Sequence, residues 1–143
     1  SIAYDLKKDK IINEYNFPIY DIDVKGEKIA TLNFSRLGRL RPGYGYINVP
    51  ENNVSDPAPE NDGVWIIDVA SKHRELLISL SDLNQFAPID SMLNAEHYVN
   101  HLSFSPLGKK LMFFHIWTKN RKRNVRALVV NKDGTQEFTE KVN

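Results

Sequence analysis

The sequence has no cysteine, only two methionines and no apolar run near the roughly 20 residues that a bilayer-spanning helix needs. The first absence excludes a disulfide framework, thiolate metal sites and thiol catalysis, but it leaves the compartment open, since large secreted domains also lack cysteine. The missing apolar run, together with the charged start Asp5-Leu6-Lys7-Lys8-Asp9-Lys10, leaves no span and no signal-peptide core to predict. A soluble chain with no membrane partner is expected. A dominant charge is missing as well: 19 Lys and Arg oppose 18 Asp and Glu, for a net +1. Whole-molecule electrostatics therefore gives no reason to expect a nucleic-acid partner. Gly-x-Gly-x-x-Gly, phosphate-loop, His-Glu-x-x-His and Gly-x-Ser-x-Gly motifs are all absent.

What is present is a 143-residue chain that is 41% apolar and 10% aromatic, enough for one domain with a sizeable core. Helical periodicity is poor, whereas short β-rich runs bounded by Gly, Pro, Asn and Asp recur. Strands are predicted at 19–24, 28–34, 63–69, 75–80, 99–105, 110–118 and 124–131, with only 82–95 able to hold a short helix.

Two landmarks repeat. An apolar strand ending in Asp or Asn occurs at Asp5, Asp68 and Asn131, each 63 residues from the next, and a Gly-x-Lys turn occurs at Gly26 and Gly108. The shorter spacings, 21 residues from Asp5 to Gly26 and 23 from Gly108 to Asn131, together make a unit close to the roughly 40 to 45 residues of one four-stranded propeller blade. The two intervening segments are each 19 residues longer, so each 63-residue period holds one blade plus one long insertion. The expected fold is all-β, an incomplete β-propeller of four-stranded antiparallel blades. Residues 1–15 supply outer strands of one blade, 17–80 a second with a long loop at 39–62, and 98–143 a third. Closed propellers use about 4 to 8 blades, so self-association or the remaining blades of a longer chain are expected as partners.

The turn Ser103-Phe104-Ser105-Pro106-Leu107-Gly108-Lys109-Lys110-Leu111 resembles the Phe-Ser-Pro-Asp-Gly-Lys signature of TolB-type propellers, with Leu107 where Asp is usual. Asn131-Lys132-Asp133-Gly134-Thr135 resembles their outer hairpin turn, and residues 101–135 as a whole look most like the propeller of the oligogalacturonate lyase group.

Both insertions, 39–62 and 81–97, should emerge on one face, where long loops tend to carry function. The first begins with Arg36, Arg39 and Arg41, followed by Tyr44 and Tyr46. These residues could hold a carboxylate bidentately and stack on a sugar ring, or the arginines could pair with neighbouring acids while the tyrosines cover the sheet top. His97 and His101 flank the start of an inner strand, and His115 ends the next, pointing toward the channel mouth or into the gap between blades. A neutral imidazole there could bind a metal, act as a base or hydrogen-bond between blades. His73 is expected at the surface, Trp65 and Trp117 in the core, and the basic run 119–126 at a solvated hairpin tip. The lyase resemblance implies a divalent metal such as manganese with His101 in its ligand set, although Leu102 stands where proline is usual. The resulting expectation is a module binding an oligosaccharide, uronate-containing in the lyase case. Its catalytic residues would be His101 and Arg41, its substrate contacts Arg39, Arg41, Tyr44, Tyr46 and His97, and its metal ligand His101. The alternative is a noncatalytic protein-interaction propeller.

Overall fold

Tight turns at Gly, Asn and Asp divide the apolar runs into three antiparallel sheets. The computed structural model describes residues 1–131. In chain order, β1 (Ile2–Asp5) and β2 (Lys10–Glu14) form a two-stranded sheet. The middle sheet comprises β3 (Asp21–Ile22), β4 (Lys28–Thr31), β5 (Gly63–Asp68) and β6 (Arg74–Ser79). The third comprises β7 (Glu96–Phe104), β8 (Lys110–Lys119) and β9 (Lys122–Asn131). Within each sheet, strands pair antiparallel with their sequence neighbours, and the described chain is mostly β with no parallel pairing.

The two Gly-x-Lys turns are built alike. In the β3–β4 turn, Gly26 N donates to Asp23 O at 2.9 Å, and the Asp23 carboxylate accepts from the amides of Glu27 and Lys28. In the β7–β8 turn, Gly108 N donates to Ser105 O at 2.7 Å, and Ser105 Oγ accepts from Lys109 and Lys110. Both glycines sit at positive φ, +70° and +64°, a region that costs a residue with a Cβ far more.

The middle sheet is covered on both faces. Ile29 and Ile67 pack under Tyr15 and Ala3 of the first sheet. Ala30, Val64, Ile66 and Ile78 face the other way, onto Leu111, Phe113, Leu128 and Val130 of the third sheet. Full burial of each aliphatic side chain of this kind contributes about 1.5 to 3 kcal/mol.

Several expectations are corrected at element ends. The strand predicted at 28–34 stops at Thr31, because Asn33 turns the chain into an unpredicted helix, α1 (Phe34–Leu40). The strand predicted at 19–24 has only two paired residues, while β7 starts three residues earlier than the predicted 99–105. Within 82–95, helix α2 (Leu80–Gln85) starts early on a Ser79/Asp82 capping box, and only a 3₁₀ turn at Asp90–Met92 follows. The outer turn expected at 131–135 begins at Asn131, the last residue of β9, and its remainder at 132–135 lies outside the described residues, as does the rest of the third unit.

The β4–β5 and β6–β7 connections do leave at one end. Amides of Leu80, Ser81 and His97 donate to the carbonyls of Asp62, Pro59 and Pro57, tying the two insertions together.

Candidate functional site

The first insertion is folded by its glycines. Asn33 Oδ1 accepts from Ser35 N and Arg36 N, both at 3.0 Å, and so caps α1. The chain then doubles back across the helix, and Tyr46 N donates to Phe34 O at 2.9 Å. A Cβ on Gly45 would lie 2.2 Å from Phe34 O and 2.3 Å from Gly38 N, and one on Gly38 would meet the Tyr46 backbone. Gly38 and Gly45 are therefore needed for this close crossing. It stacks the half-exposed Tyr46 ring on Phe34 at 5.0 Å between centroids.

The three arginines do different work. Arg36 is 1% exposed. Its Nε donates to His97 O at 2.6 Å, and its terminal nitrogens donate to Glu51 and to the carbonyls of Asn53, Asp56 and Pro57. Burial lowers its pKa and Glu51 opposes the shift. Arg39 pairs with Glu51 at 2.6 Å and with Glu96 at 2.5 Å. Those carboxylates occupy the guanidinium that was expected to meet a ligand. Arg41 lies over the Tyr44 ring at 4.7 Å.

The histidines separate. His97 is 1% exposed and therefore out of a ligand's direct reach. Its Nδ1 is 2.8 Å from Nε2 of the fully buried His115, whose Nδ1 accepts from Arg126 Nε at 3.1 Å. Burial lowers the His97 pKa to about 4 and that of His115 well below its ordinary value. His101 lies four residues further along β7, about 13 Å at strand rise. It is exposed at a bulge with φ +54°, its ring edge-on to Phe114. The structure thus brings Arg39 to the start of β7 but leaves His101 away from that layer. The divalent ion implied by the resemblance does not fit the described residues, among which no three His, Asp or Glu side chains converge. Arg126 belongs to the buried layer and not to the solvated tip, whereas Lys119, Arg121, Lys122 and Arg123 are exposed as expected. His73 is also exposed and Trp117 is buried.

A sizeable concavity lies elsewhere at this end. A cleft of about 660 Å³ lies beside β4 and β5, under the first insertion and against the β2–β3 link. Its aromatic walls are Phe17, Phe34, Tyr46 and Trp65, and its polar groups include Asn16, Asn33, Asn52, Asn53, Asn61, Asp62 and Arg74. No protein-family model, curated protein or solved structure matches this chain.

Of the expected substrate contacts, only Tyr46 lines the cleft; Arg39, Arg41, Tyr44, His97 and His101 do not. Trp65, expected in the core, is half-buried and carries the Arg74 guanidinium 3.8 Å above its ring. Asp62 is buried, accepts from Asn33 Nδ2 at 2.7 Å and from Gly63 N at 2.8 Å, and has its pKa raised by burial. Asn53 Nδ2 bonds Asn61 Oδ1 at 2.7 Å across the rim. Sequence reasoning missed Asn33, Asp62 and Arg74. The available signal was Asp62-Gly63 directly before an apolar strand that ends the long loop.

Proposed function

We propose that this chain is a segment of a β-propeller that binds a saccharide in the cleft at its loop end. The observation that carries the reading is the cleft lining. Phe17, Phe34, Tyr46 and Trp65 line it with apolar ring surface suited to the C–H side of a sugar, and the asparagines beside them carry donors and acceptors suited to hydroxyl groups. A cleft of this size suits a small oligosaccharide. The blade reading is supported by three antiparallel sheets stacked in chain order and by the repeated Gly-x-Lys turn. The proposal is one of binding. The lyase chemistry expected of His101 and Arg41 with a metal has no assembled site among the described residues. The alternative, a protein-interaction propeller, draws support from the exposed apolar side chains Ile2, Tyr4 and Ile12 on the first sheet.

Titration of the protein with neutral and uronate-containing oligosaccharides, followed by tryptophan fluorescence and calorimetry, tests the proposal. Trp65 should report binding because it lines the cleft, and Trp65→Ala should weaken affinity about tenfold or more, in line with about 1.5 kcal/mol for a lost aromatic contact. Absence of any binding at millimolar ligand across both classes would reject it.

A further inference from the structure

We propose that His97 and His115 form an acid-sensitive latch that holds both insertions in place, so that the cleft is formed near neutral pH and loosened in acid. The control of binding rests on the saccharide reading above, whereas the latch itself stands independently of it.

Hydrogen bonds in this buried layer fix where its protons can sit. Arg126 Nε–H can only donate, so His115 Nδ1, 3.1 Å away, must accept. A neutral imidazole with a bare Nδ1 carries its proton on Nε2, which then donates to His97 Nδ1 at 2.8 Å. His97 in turn holds its proton on Nε2, facing Met92 O at 3.4 Å. One pair of neutral tautomers satisfies every contact. An extra proton on His97 Nδ1 would face the Nε2–H of His115. Moving the His115 proton to Nδ1 relieves that contact only by facing it with Arg126. Every placement sets two N–H donors against each other.

The surroundings add to this conflict. From α1, Arg36 binds the His97 carbonyl, and from β9, Arg126 binds His115, so two guanidinium charges flank the pair. Among the described residues, the nearby carboxylates Glu51 and Glu96 are engaged by Arg36 and Arg39. The Trp117 ring stacks on His97.

The layer also connects the insertions. Arg126 donates to the carbonyls of Leu83 and Phe86 in the second, while Arg36 donates to those of Asp56 and Pro57 in the first. Val49, Pro50, Asn52 and Asn53, on either side of Glu51 in the chain, form part of the cleft lining. A native state that keeps both imidazoles neutral binds no proton where the opened state does, below about pH 6.5. The latch is therefore at full strength above that pH and weakens as pH falls toward about 4, the folded value for His97.

Amide hydrogen exchange at pH 7.5 and pH 5.0, corrected for intrinsic rates, tests this. The amides of Phe86, Met92, Ala95 and His97 should open at least about tenfold more at the lower pH, since each proton taken up multiplies opening by up to about tenfold per pH unit. The Ile67 and Phe113 amides in the core strands should not change. Equal opening at both pH values, or parallel acceleration at Phe113, would overturn the latch. His115→Gln, whose amide can accept from Arg126 and donate to His97, should reduce the pH response of the His97 amide by about one proton; an unchanged response would also overturn it. If that variant does not fold, the wild-type exchange decides alone. Saccharide titration at both pH values separates the two readings. No binding at pH 7.5 rejects the saccharide reading and leaves the latch to the exchange data, while binding that is no weaker at pH 5.0 rejects the control.

Discussion

Arg36 and Arg126 are two cations buried deep in a chain that carries nearly balanced charge. Each is held mainly by main-chain carbonyls, which accept hydrogen bonds from a guanidinium without needing a counter-charge at every nitrogen. Removing the first should be severe. Arg36→Leu would take one of its two guanidinium partners from the Glu51 carboxylate, 3% exposed, leaving it the partly exposed Arg39, and would strip donors from four carbonyls. A loss of about 3 to 5 kcal/mol is expected, measured by denaturant unfolding. Sequence alone could not expose this role, because an arginine's identity does not reveal whether its partner is solvent, a ligand or the backbone of a segment 61 residues away.

At the scale of elements, the long strands were legible and α1 was not. β8 and β9 announce themselves as continuous apolar runs between turn residues, and the turn glycines Gly26 and Gly108 mark equivalent corners. α1 is only seven residues long and contains Gly38, so no periodicity could accumulate. Its signals were local: Asn33 as cap, then Phe34, Leu37 and Leu40 at helical spacing. The cap is doubly used, since Asn33 also donates to Asp62 in the cleft. Asn33→Ala should cost about 1 to 2 kcal/mol in thermal or denaturant unfolding and weaken saccharide binding as well, whereas a change at an exposed cap alone would do only the first. The expected ligand set failed for a related reason. Spacing identified the end of the sheet where the insertions meet, but not which side chains the glycine-dependent crossing turns inward.

At the scale of the molecule, the outer face of the first sheet has no covering layer among the described residues. On the first sheet, Ile2, Tyr4 and Ile12 are 58%, 45% and 59% exposed, on a two-stranded sheet that has little stability of its own. Exposed apolar side chains on a marginal sheet favour association. Sedimentation equilibrium between about 5 and 500 µM, a range spanning weak to moderate affinities, should show mass rising with concentration, and Ile2→Asp combined with Ile12→Asp should restore a monomer. A single species at monomer mass across that range would contradict the expectation.

The buried arginines also impose an order on how the molecule is made. Arg36 cannot close on the His97 carbonyl until 61 further residues have been synthesised, and Arg126 reaches back 43 and 40 residues to Leu83 and Phe86. During synthesis β3 through β6 can pair early, because their contacts lie between residues 21 and 79. The first insertion then waits for β7, and the second waits for β9. The loop end matures vectorially and last, so a chain arrested before Arg126 would carry a finished middle sheet beneath an unfinished cleft.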